Sequence, residues 1–173
     1  MGNPTPDLAR PIAVVRGAPT PAIQSLFCAF AQRLGPRVRV AGVVEEEPGE
    51  GEAQLRSLVD GRRFPVFQEL GGGSTACGLD AGSIVTACEA VRQDIAAGCD
   101  LVVLSKFGRL EAERTGLSDA FAAGLAARTP ILTSVAQKFD PVWSAFAAPL
   151  YVVLPPDLAA IEGWWRSLHR QVA

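Results

Sequence analysis

Short, largely apolar runs recur along this chain between segments of helical periodicity, and that alternation restricts the fold more than any other feature. Ile12 to Val15, Leu101 to Leu104, Ile131 to Val135 and Tyr151 to Leu154 are too short for helices. They lack the polar alternation of a half-exposed strand, so they read as parallel strands buried on both faces. Between them lie helical patterns. Ile23, Leu26, Phe27, Phe30 and Leu34 form one apolar face over about Ala22 to Leu34, stopped by Gly35-Pro36. Val38 to Val44 makes a second strand, and Asp80 is placed to cap a helix running to about Ala97. Further helices are expected over Leu117 to Ala127, near Asp140 to Phe146, and from Asp157 onward. The reading is an α/β fold in three layers, a mostly parallel sheet with helices on both faces.

One stretch departs from this rhythm. Leu55 to Val59 and Arg62 to Gln68 flank Asp60-Gly61, a dipeptide suited to a tight hairpin turn, which predicts an antiparallel hairpin at one edge of the sheet. The acidic segment Glu45 to Glu52 before it reads as a solvated connection, and Gly71 to Gly78 after it as a flexible loop.

At 173 residues, with 49% hydrophobic and 20% charged content, residues 1–173 suffice for a single domain, and 1–11 read as a flexible N-terminal segment. A formal net charge of −2 gives no global basic field for a nucleic-acid backbone or an anionic membrane, so any anion site must be local. No apolar run approaches the length of a membrane span, and a cytoplasmic location is expected. Cys28, Cys77, Cys88 and Cys99 are widely spaced without a Cys-x-x-Cys pair, and the single histidine, His169, lies at the far end. They read as reduced thiols rather than metal ligands.

Ligands of open α/β sheets bind outside the carboxyl ends of the strands, so the turns after the apolar runs are the candidate sites. Arg16-Gly17-Ala18-Pro19-Thr20-Pro21 follows the first strand. It has the location of a phosphate-binding loop without its lysine, and two prolines remove N–H donors, leaving Arg16, Gly17 and Thr20 to meet a ligand. Ser105-Lys106-Phe107-Gly108-Arg109-Leu110-Glu111 follows the Leu101 to Leu104 strand, and Lys138 follows Ile131 to Val135. Gathered at one edge, Arg16, Lys106, Arg109 and Lys138 would make an anion pocket, with Gly108 admitting close backbone approach. The other reading of the same residues pairs Lys106 with Glu111 or Glu113 and leaves Arg109 as a surface charge. Ser74, Thr75 and Cys77 are further donors in the glycine-rich loop.

The order of these pieces resembles P-loop-type nucleoside triphosphatases in which a strand ends in Asp-Glu-x-Gly-x-x-Glu. Here Gly108 and Glu111 match, while the two acidic positions are Ser105 and Lys106. Almost the whole chain, roughly Ile12 to Trp165, is similar to an uncharacterised bacterial family of P-loop-like proteins carrying Lys-Phe-Gly-x-x-Glu. That family also has an earlier Cys-x-Leu-Asp, as in Cys77 to Asp80, and a tryptophan-bearing C-terminal helix. Ser105 stands where asparagine is common in it. Its members are often associated with molybdenum-uptake genes.

The resemblance implies a P-loop-NTPase-like fold with degenerate nucleotide motifs. Phosphoryl transfer needs magnesium and a lysine on the terminal phosphates, and the expected positions hold neither the carboxylates nor the lysine. The expected function is therefore a non-hydrolysing accessory protein that binds a nucleotide or an oxyanion such as molybdate, linked to molybdenum metabolism. Two alternatives stand beside it: an atypical nucleoside triphosphatase, and an interaction module with a vestigial pocket. For the last, Trp164 or Trp165 would serve a protein partner or a second copy of the chain.

Overall fold

A computed structural model describes residues 10–69 and 77–170. The elements in chain order are β1 (Ile12–Val15), α1 (Thr20–Leu34), β2 (Val40–Glu46), β3 (Gln54–Ser57), β4 (Arg63–Pro65), β5 (Phe67–Glu69) and β6 (Cys77–Leu79). There follow α2 (Ala81–Ala97), β7 (Leu101–Leu104), α3 (Arg109–Ala112), α4 (Ser118–Ala126), β8 (Ile131–Ser134), α5 (Asp140–Ala147), β9 (Tyr151–Leu154) and α6 (Leu158–Arg170). A single 3-10 turn, Gln137–Phe139, leads into α5.

The main sheet has seven strands in the order β4-β3-β2-β7-β8-β1-β9. All neighbours from β2 to β9 are parallel, and β3 and β4 add antiparallel strands at one edge. The short apolar runs are buried on both faces, as their composition requires. Ile12 and Val14 of β1 join α2, α4 and α5 in one core cluster, whereas Ala13 and Val15 join α1 and α6 in the other. Adjacent residues of one strand thus serve opposite layers.

Connections set the position of the site. β1 leads through α1, on one face, to β2 on one side of it, while β8 leads through α5, on the opposite face, to β9 on the other side. The chain therefore diverges between the adjacent strands β8 and β1, which is a topological switch point. Gly42 lets β2 and β7 approach. It sits at φ 120°, and a Cβ there would lie 1.8 Å from the Val103 carbonyl oxygen.

Two expectations are corrected. The hairpin does not turn on Asp60-Gly61 alone and does not run to Gln68. The Ser57 N–H donates to the Arg62 carbonyl across a four-residue loop, and β4 ends at Pro65, with one further ladder bond from the Val66 N–H to the Ala53 carbonyl at 2.9 Å. Phe67–Glu69 instead pairs with Cys77–Leu79 in a separate antiparallel sheet, so Cys77 and Gly78 belong to a strand rather than a loop. The C-terminal tryptophans divide their burial. The Trp164 indole N–H donates to the Arg10 carbonyl at 2.9 Å, and Trp165 packs edge-on to Phe30 and against His169.

Candidate functional site

Over the carboxyl ends of β1, β7 and β8 lies a cavity of about 690 Å³. Its walls include Arg16, Gly17 and Thr20 from the first turn, Ser105, Lys106, Gly108, Arg109 and Glu111 after β7, and Lys138 after β8. The nine sequence-expected residues within the described part of the turns thus share one crevice. Ser74 and Thr75 lie outside the described residues, and of Cys77 only its place in β6 is described.

The local geometry explains each position. Pro19 precedes α1 and Pro21 occupies its first turn, where a missing N–H costs the helix nothing. After β7, the Phe107 N–H donates to the Ser134 carbonyl at 2.8 Å, continuing the parallel pairing beyond the strand. Glu111 then folds the segment back on itself. Its carboxylate accepts the Gly108 N–H at 2.9 Å through one oxygen and the Leu117 N–H at 2.9 Å through the other. Gly116 makes room for this at φ 60°, because a Cβ there would stand 2.4 Å from the Glu111 oxygen. Gly108 is under no such constraint. Its backbone is extended, and a Cβ would meet nothing nearer than 3.7 Å, so its bare surface matters only to something entering the crevice.

The cations are not paired as either reading of the sequence anticipates. Lys106 Nζ lies 2.8 Å from Glu45 Oε2, not beside Glu111 or Glu113. Arg16 holds Asp140 through both terminal nitrogens, one of them at 3.0 Å, while its Nε is buried without a partner among the described residues. Arg109 pairs with Glu113 at 3.1 Å on the surface. Lys138 Nζ lies 5.1 Å from the Phe139 ring centroid, with no carboxylate partner among the described residues. Self-neutralisation is the dominant electrostatic feature of the crevice.

Three important residues escape the sequence reading. Gln24, buried in α1, donates to the Ser105 carbonyl at 2.8 Å and accepts the Glu45 N–H at 2.9 Å, tying the helix to the ends of β7 and β2. A polar residue beside Ile23 within the apolar stripe of α1 is the signal that could have found it. Glu45 does not belong to a solvated connection: it is the next-to-last residue of β2, and its side chain is only 14% exposed. Asp140 reads in the sequence only as a helix start. Burial raises the thiol pKa of Cys28, Cys88 and Cys99, as suits unreactive reduced cysteines. Among the described residues no cluster of three or more His, Cys, Asp or Glu side chains is arranged to hold a metal ion, and no helix is long and apolar enough to cross a membrane.

Fold and site together define a P-loop-like domain with a crevice at its topological switch point. The chain belongs to the family described as "Protein of unknown function (DUF2478)", which matches residues 12–164. A segment of the molybdenum import ATP-binding protein ModC 2 of Bradyrhizobium diazoefficiens is 34% identical over 162 residues. The match covers 90% of this chain but only 18% of the length of that relative. Among solved structures, THEP1 from the hyperthermophile Aquifex aeolicus superimposes with a TM-score of 0.62 at 11% identity, covering 91% of this chain and 95% of THEP1. That likeness confirms the fold.

Proposed function

We propose that the crevice binds a nucleotide or a compact oxyanion such as molybdate without hydrolysing it, and that the protein serves as an accessory in molybdenum metabolism. The observation that carries this reading is the convergence of the turns after β1, β7 and β8 on one cavity at the switch point, with Ser105 and Lys106 at the strand end. Ser105 and Lys106 offer magnesium no carboxylate and the first turn no lysine for terminal phosphates, which supports binding without hydrolysis. ATP binding by the ModC relative and the shared fold support the nucleotide. The apolar residues among the cavity walls, Ile23, Leu55, Val66, Ile84 and Leu117 among them, also favour an organic ligand over a bare oxyanion.

A thermal-shift panel of ATP, GTP, other nucleotides, molybdate, tungstate, sulfate and phosphate, with and without magnesium, tests it. A ligand that binds only the native state raises the melting temperature by mass action. Stabilisation by a nucleotide or oxyanion without phosphate release is the expected result. Robust release that disappears on changing Lys106 or Glu111 would make the protein a hydrolase, and no stabilisation by any member would remove the binding role.

A further inference from the structure

The crevice has two chemically different ends. In the sheet order β3-β2-β7-β8-β1 it extends over four strand spacings, about 19 Å at roughly 4.8 Å each. Over β1 and β8 its walls carry the cations Arg16 and Lys138 with Gly17, Thr20 and Gln137, interspersed with Ala18, Val135 and Phe139. Beyond the mutually paired Lys106 and Glu45 they are mainly apolar, with Leu55, Val66, Ile84, Leu110 and Leu117. Leu55, Ile84 and Leu117 are buried and still wall the cavity, so a ligand entering that end meets apolar surface.

The cationic end has a small capacity for charge. Arg16, Lys106 and Arg109 each already hold a carboxylate, and Pro19 and Pro21 remove two amide donors from the first turn. One phosphate group finds Lys138, the Arg16 edge and the bare Gly17 and Gly108 backbones. A triphosphate brings several more negative charges, for which this end has, among the described residues, neither further free cations nor a carboxylate pair to carry a magnesium counter-ion.

We infer, resting on the reading of this crevice as an anion site, that its ligand is the phosphomonoester of a planar heterocyclic compound. The phosphate lies at the Arg16 and Lys138 end and the ring in the apolar end. A nucleoside monophosphate or flavin mononucleotide has this chemistry, whereas a nucleoside triphosphate exceeds the charge the site can meet.

Calorimetric titration of the full chain with AMP, GMP, flavin mononucleotide, their dephosphorylated forms adenosine, guanosine and riboflavin, inorganic phosphate, molybdate and ATP, the last with and without magnesium, tests this. At least one phosphomonoester should bind tenfold or more tightly than inorganic phosphate, than its dephosphorylated form and than ATP. Lys138→Ala should weaken inorganic phosphate and the phosphomonoester alike. Val66→Asp and Leu110→Asp, both at partly exposed wall positions, should weaken the phosphomonoester several-fold and leave inorganic phosphate unchanged; two variants guard against misfolding of either. Tighter binding of ATP, or of molybdate alone, would overturn the ligand class and leave the anion site standing. Phosphomonoester binding indifferent to both apolar-end variants would overturn the two-ended arrangement. No binding of any anion would instead remove the anion site on which the inference rests.

Discussion

Replacing Glu111 with alanine should destabilise the protein far more than its place in a surface turn would indicate. Its carboxylate is the acceptor for two backbone amides, Gly108 and Leu117, each at 2.9 Å, and the residue is only 8% exposed. A hydrogen bond to a charged group contributes about 1.5–3 kcal/mol. Leu117 is buried, so its amide would be left without an acceptor and the full cost applies there. The Gly108 amide borders the crevice and can turn to water, so its loss costs the lower end of the range. The sum is about 3–4.5 kcal/mol, which for a chain of this size lowers the melting temperature by on the order of 10 °C. Differential scanning calorimetry measures it directly. Glu111→Gln keeps one acceptor oxygen and should lose about half as much. Glu113→Ala, which breaks only the exposed pair with Arg109, should stay within about 0.5 kcal/mol of the parent. Equal effects of the Glu111 and Glu113 substitutions, or a melting point of the Glu111→Ala protein within about 2 °C of the parent, would refute the reasoning.

Gln24→Leu should cost about 2–4 kcal/mol by urea denaturation, because it leaves the Ser105 carbonyl and the Glu45 N–H unpaired in the interior; an unchanged midpoint would show that water replaces both bonds. Glu46 provides an acid-range prediction. Burial opposes its ionisation, but hydrogen bonds from Arg56 and Gln54 and the charges of Arg56 and Arg63 outweigh it and hold its pKa below the ordinary 4.5. The folded protein therefore binds fewer protons than the unfolded chain in this range, so the contribution of Glu46 is present above the ordinary value and is lost as pH falls through the depressed one. The urea midpoints of parent and Glu46→Gln should differ at about pH 7 and converge by about pH 3, and a gap that widens on acidification would contradict the assignment.

The layers and the parallel strands were legible because their signals are local. A four-residue apolar run such as Leu101 to Leu104 declares burial on both faces, and Asp80 announces its helix through a side chain that accepts the Ser83 N–H at 2.9 Å. The fate of Phe67 to Leu79 was not legible. Phe67–Glu69 follows β4 after a single residue, Val66, whose N–H still donates to Ala53 while its carbonyl already accepts from Asp80, so the change of partner falls within one residue and has no local signal. The one-turn helix α3 was equally hidden, since four residues carry no periodicity and its start depends on the Glu111 carboxylate bonding back to Gly108.

The charges of the site show a different limit. Sequence order brought Arg16, Lys106 and Lys138 to one edge because parallel strands send all their carboxyl ends there. The same topology delivers their partners. Glu45 comes from the end of β2, next to β7, and Asp140 opens α5 just beyond β8, next to β1. The ion pairs therefore join residues far apart in sequence, Lys106 to Glu45 and Arg16 to Asp140, and only the neighbouring Glu111 and Glu113 were visible as candidates. Counting strand-end cations overstates the field in the crevice, because a ligand meets the cations less the carboxylates that arrive by the same route. To use Lys106 or Arg16 fully, an anion must displace Glu45 or Asp140, and its net gain is the difference between two similar ion contacts. For the proposed anion site, this exchange leaves Lys138, the amides and the apolar wall to distinguish ligands of equal charge by shape, while the small surplus of cation sets an upper limit on the charge that can enter.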